Sequence, residues 1–187
     1  MIADWKMPRG KLRGGALAGR SEGKVFDRRK SGNDLDGVLV HPGEIAVVGD
    51  GSRLVSVVAA GVAVCLWAPD SEIAAMAHFV EPRTDDMSRT FARFGNVAVP
   101  EVVRLVRDGA PQDRIEAQIF GGAKAHPQDL RGEQNVSMAE KVLASRSIEV
   151  TSRDVGGTKG RKVVLDGRTG QTAVVKVHKL RAEDWSA

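Results

Sequence analysis

Cysteine is nearly absent from this 187-residue chain, which carries one, Cys65. A single cysteine cannot close an internal disulfide, and that fits a reducing compartment. No apolar run is long enough to span a bilayer. The opening stretch MIADWKMPRGKLRGG lacks the apolar centre of a secretory signal. Both absences lead us to expect a cytoplasmic protein without membrane insertion. Metal ligands are also poorly supplied: His41, His78, His126 and His178 are scattered, and no two stand at ligand spacing. Neither glycine pair, Gly121-Gly122 or Gly156-Gly157, belongs to a phosphate-loop or dinucleotide fingerprint. They read as turns or close backbone approaches, so neither a metal nor a cofactor is expected. Aromatic residues make up only 4% of the chain, and none alternate with the basic residues of FDRRKSGND. A single-strand nucleic-acid surface stacks bases on such residues, so nucleic acid is not an expected partner.

What is present describes a globular chain, 42% hydrophobic and 28% charged, long enough for one domain with a real core. Its charge is unevenly placed. Residues 1–36 hold nine Lys/Arg against five Asp/Glu, and the remainder carries 19 of each, so the net +4 belongs to the first segment. That segment is rich in Gly, Arg, Lys and Ser without apolar periodicity, and reads as a disordered basic arm. The expected organisation is therefore an arm over 1–36, a domain over 37–180 and a short tail over 181–187.

Within the domain, GEIAVVGDGSRLVSVVAAGVAVCLWAPD reads as two strands about a hairpin-like GDGS turn. The second is apolar almost throughout and so buried on both faces. IAAMAHFV is a third strand. Phe91, Phe94, Ala98, Val102 and Leu105 recur at helical spacing, with Pro100 marking a kink or a boundary between two helical pieces. IEAQIFGGAKA is a strand running into a glycine pair, and EQNVSMAEKVLASRS a second helix. Short Val-rich runs separated by glycine turns finish the chain as a meander of about three strands. Strands lead, helices intervene and strands finish, which gives an α/β or α+β domain.

The lone Cys65 lies thirteen residues before His78. That arrangement invites two readings: a thiol nucleophile with its base, or a small apolar side chain in a buried strand.

The stretches HPGEIAVVGDG, VAVCLWAPD, MAHFVEP, QIFGGAKA, GEQNV and DVGGTKGRKVVLDGRTGQTAVVKV, six in register from His41 to Val177, resemble the CheD family of chemoreceptor glutamine deamidases. The resemblance implies stacked mixed β-sheets flanked by helices, a fold shared with the cytotoxic necrotizing factor-like cysteine hydrolases. It also implies a chemistry without cofactor or metal. A cysteine thiolate attacks the side-chain amide of a receptor glutamine, while a histidine takes the thiol proton and delivers it to departing ammonia. Water then hydrolyses the thioester to glutamate, and a threonine helps hold the histidine. Implied partners are the cytoplasmic domain of a methyl-accepting chemoreceptor and a CheC-type phosphatase.

Carried over by position, the family histidine matches His78. The nucleophile falls on Gly61 and the threonine on Val55, so both positions are vacated. Ser52 and Ser56 are not expected to substitute. Cys65 matches a core position beside the catalytic triplet, about 13 Å further along an extended strand at roughly 3.3 Å per residue. Three functions remain open at this point. One is a CheD-like protein that binds receptors with little or no turnover. Another is an active deamidase using Cys65 with His78. The third is a binding protein whose basic arm engages an anionic partner.

Overall fold

A computed structural model describes residues 17–18, 37–86 and 92–177. Apart from Leu17–Ala18, the expected basic arm lies outside these residues, as does the tail over 181–187. The described strands are β1 (Leu17–Ala18), β2 (Gly37–Leu39), β3 (Glu44–Val48), β4 (Arg53–Val58), β5 (Val62–Ala68), β6 (Ile73–Phe79), β7 (Glu116–Gly121), β8 (Glu149–Val155), β9 (Gly160–Leu165) and β10 (Thr172–Val177). Helix α1 (Gly95–Gly109) lies between β6 and β7, and α2 (Arg131–Ser145) between β7 and β8.

The strands form two mixed sheets, ordered β1-β3-β6-β5-β7-β8 and β10-β9-β4-β2. Only β7–β8 and β2–β4 are parallel pairs. Side-chain alternation along β5 and β6 explains the layering. Val62, Val64, Leu66, Ala75, Ala77 and Phe79 pack with α1 and α2 in one core. Ala63, Cys65, Trp67, Ala74 and Met76 face Leu54, Val58, Val163 and Leu165 of the second sheet in another. The larger sheet is thus buried on both faces, which is why β5 and β6 read as continuous apolar runs. The result is the mixed α+β domain with stacked sheets and flanking helices that the sequence implied.

Four local expectations need correction. The last three strands are not one meander: β8 lies parallel to β7 in the larger sheet, whereas β9 and β10 form a hairpin in the smaller one. The GDGS turn does not close a hairpin: β3 belongs to the larger sheet and β4 to the smaller, so this turn carries the chain between layers. The long apolar run after it is two strands, β4 and β5, separated at Ala59–Ala60–Gly61. Both halves are buried, β4 mainly against β9 and β5 between β6 and β7. Continuous apolarity therefore hid the break. Finally, α1 runs without a boundary through Pro100. One hydrogen bond is lost there to the carbonyl four residues back, while Ala98, Val99, Val102, Val103 and Val106 keep the buried face intact.

Candidate functional site

His78 is the penultimate residue of β6, which is buried throughout, and its backbone stands opposite Ala63 of β5 and Glu44 of β3. Alternation turns its side chain toward the second sheet, where it meets β4. Ser56 Oγ lies 2.9 Å from His78 Nδ1 and donates its hydrogen to the Val40 carbonyl at 2.7 Å. A hydroxyl has one hydrogen to give. With that hydrogen on Val40, the tautomer that completes the pairing carries its proton on Nδ1 and donates it to Ser56. The neutral ring then presents an unprotonated Nε2 on its other side.

That side faces Gly61. A Cβ built on Gly61 would lie 2.9 Å from His78 Nε2, 2.9 Å from the Phe79 carbonyl oxygen and 3.0 Å from Val80 Cγ1. The side-chain direction of residue 61 therefore aims at the acceptor nitrogen of the histidine, and glycine puts nothing there. Burial pulls the His78 pKa down to about 4, assisted by the neighbouring His41 and opposed by hydrogen bonding at the Val40 carbonyl. The imidazole is neutral at neutral pH.

The Gly61 turn is fastened at three successive carbonyls. Ala123 N donates to Ala59 O at 2.8 Å and Gly122 N to Gly61 O at 2.9 Å. Asn135 Nδ2 donates to Ala60 O at 2.9 Å, and also to Val80 O at 3.1 Å. The loop after β7 reaches the turn only because Gly121 and Gly122 adopt φ of 117° and 67°. A Cβ on Gly121 would strike Gly61 O at 2.2 Å. The first glycine pair is thus a close backbone approach that forms one wall of the site.

The other residues matched by position are placed elsewhere. Val55 is fully buried beside Ser56, but alternation along β4 puts it on the opposite face from His78. The hydroxyl that does meet the histidine is Ser56, one residue on, which position matching does not select. The signal for it was present, since Ser56 is the one hydroxyl in Arg53–Val58. Cys65 stands opposite Met76 and Gln118, in the core between the sheets. It lies two residues along β5 from the rung that Ala63 shares with His78, about 7 Å away at roughly 3.3 Å per residue. Burial pushes its thiol far above the ordinary cysteine value, which leaves essentially no thiolate. Asn135 lies within GEQNV, and the cue to its role is a carboxamide in the buried stripe of α2.

Chemically, the arrangement can hold and accept a proton at His78 Nε2. Ser56 is wholly buried with its hydrogen committed to a carbonyl, and residue 61 offers no nucleophile. Among the described residues, no three His, Cys, Asp or Glu side chains gather to hold a metal ion, and no helix is long and apolar enough to cross a membrane.

A model of the family described as CheD chemotactic sensory transduction matches residues 80–176. The match begins two residues beyond His78. A probable chemoreceptor glutamine deamidase CheD 1 of Anaeromyxobacter dehalogenans is 39% identical over 134 residues, spanning 68% of this chain and 77% of the relative. A probable chemoreceptor glutamine deamidase CheD of Sulfurimonas denitrificans is 29% identical over 146 residues, 75% of this chain and 94% of the relative. One from Methanococcus vannielii is 30% identical over 148 residues, covering 76% and 96%.

Proposed function

We propose a role in chemotaxis by receptor binding without turnover, on the premise that this chain belongs to the CheD family. The observation that carries the second half is the pairing of His78 Nε2 with an empty side-chain direction at Gly61. The relatives are named for deamidating chemoreceptor glutamines. In that chemistry a neutral histidine draws a proton from a thiol within hydrogen-bond reach, and the thiolate attacks the amide. Here the base is held in the right tautomer and the thiol is missing. The partner we propose is the receptor's cytoplasmic, glutamine-bearing segment. A CheC-type phosphatase is the second proposed partner, and the cytoplasm the proposed compartment. No cofactor enters this reading.

Turnover through Cys65 has less support, because its sulfur is shut between two sheets and kept protonated. The experiment measures ammonia release and the glutamine-to-glutamate mass change on a receptor cytoplasmic fragment, for the wild type and Gly61→Cys. Expected are binding without ammonia for the wild type and weak release for Gly61→Cys, since the new Cβ, 2.9 Å from the Phe79 carbonyl oxygen, forces the turn to shift. Ammonia from the wild type, lost in Cys65→Ser, would overturn the reading.

A further inference from the structure

We propose that Asn135 is a positioning residue of the His78 site: from α2, its carboxamide clamps the 59–61 turn to the chain just beyond β6. Four observations meet on this residue. Its two N–H groups are both used, one on Ala60 O, adjacent to Gly61, and one on Val80 O, two residues past His78. Of the three donors that fasten the turn, it is the one side chain. It interrupts a buried helical stripe otherwise made of Gly132, Ala139 and Leu143, where an aliphatic residue would fill space at no polar cost. And its Oδ1 is buried with no hydrogen-bond partner. Buried acceptors are normally paired, so an asparagine used only for its donors is held there for what those donors do.

The helix is brought close enough for this by glycine. Gly132 approaches the Gly122 carbonyl so nearly that a Cβ would sit 2.4 Å from its oxygen. The clamp therefore joins α2, the β7 loop, the Gly61 turn and the end of β6 into one unit. Its effect on the site is to hold residue 61 against Nε2 and to keep the imidazole dry. The titratable groups beside His78 are His41, whose charge opposes protonation, and Glu44, its neighbour across β3. Neither belongs to α2 or the turn, so cutting the clamp changes water access and leaves the local charges in place.

The inference rests on reading His78 and position 61 as the site, yet its readout requires neither receptor nor turnover. The His78 ring is titrated by NMR in the full chain, as wild type, Asn135→Ala and Leu143→Ala. Asn135→Ala is expected to raise the His78 midpoint by about one pH unit or more as water reaches the ring. Leu143→Ala, equally buried two turns on, is expected to weaken the fold and leave the midpoint where it was. An unmoved midpoint in Asn135→Ala, or an equal shift in Leu143→Ala, would overturn the proposal. Should Asn135→Ala not fold, wild-type exchange decides: the Asn135 carboxamide protons are expected to exchange at least about tenfold more slowly than those of the exposed Gln134, and equal rates would overturn it. Loss of receptor binding in the wild type would sink the functional reading alone and leave this test untouched.

Discussion

Ser56 and His78 meet across the two sheets, hydroxyl to Nδ1 at 2.9 Å, and that contact decides which nitrogen of the imidazole looks at residue 61. Ser56→Ala removes the hydroxyl that bridges His78 Nδ1 and the Val40 carbonyl. A stability loss of about 1–3 kcal/mol is expected in urea unfolding. The nitrogen-15 shifts of the His78 ring should move away from the Nδ1–H tautomer. An unchanged tautomer would mean that another group orients the ring.

Gly61 tolerates no side chain without movement, because a Cβ would come within 3.0 Å of Nε2, the Phe79 carbonyl and Val80. Gly61→Ala should therefore cost about 1–3 kcal/mol, as overpacking does. Its φ is not in the left-handed region, so the cost is crowding alone. A neutral Gly61→Ala in the same denaturation series would show that the turn yields freely.

At Gly121 two penalties coincide, a φ of 117° and a Cβ position 2.2 Å from Gly61 O. Gly121→Ala should cost about 3 kcal/mol or more, a loss read as a lowered melting temperature. A variant that melts with the wild type would contradict this packing.

The buried histidine also sets a pH dependence. Its folded pKa, about 4, lies below the ordinary 6.5, so the unfolded chain binds this proton more readily. The His78 contribution is fully present above pH 6.5, declines as the pH falls, and is gone below about 4. The size of that decline is about 3 kcal/mol. His78→Gln should flatten the corresponding part of the stability curve between pH 6.5 and 4. An unaltered slope in that variant would exclude His78 as its source.

Cys65 should behave as a core side chain. Iodoacetamide is expected to label it at least about a hundredfold more slowly in the native protein than in denaturant. Rapid native labelling would reopen its candidacy as a nucleophile.

Much of this architecture was legible because burial leaves periodic marks. The apolar runs of β5 and β6, the spacing of Ala98 and Val102 in α1, and the glycine pair after β7 all record what each residue faces. The break between β4 and β5 left no such mark, since both sides are buried and only small residues, Ala59-Ala60-Gly61, separate them. The site was half legible. His78 and position 61 follow from matching position along the chain, because they lie near the facing ends of β6 and β5. Val55 and Ser56 differ by which face of β4 they occupy, and a shift of one residue reverses the face. Asn135 reaches the site from a helix 75 residues downstream of Ala60, a separation that no local pattern encodes.

That separation has a consequence for how the chain folds. The contacts that make the site span 22, 55 and 75 residues, so each closes a loop whose entropic cost falls due before the contact forms. Helices and hairpins can appear early, whereas the site exists only once both sheets and α2 have docked. A fragment limited to 80–176 would contain Asn135 and Val80 but neither His78 nor the turn. His78 titration is therefore a reporter on completion of the whole domain, and a partly folded chain would carry an ordinary, water-exposed imidazole.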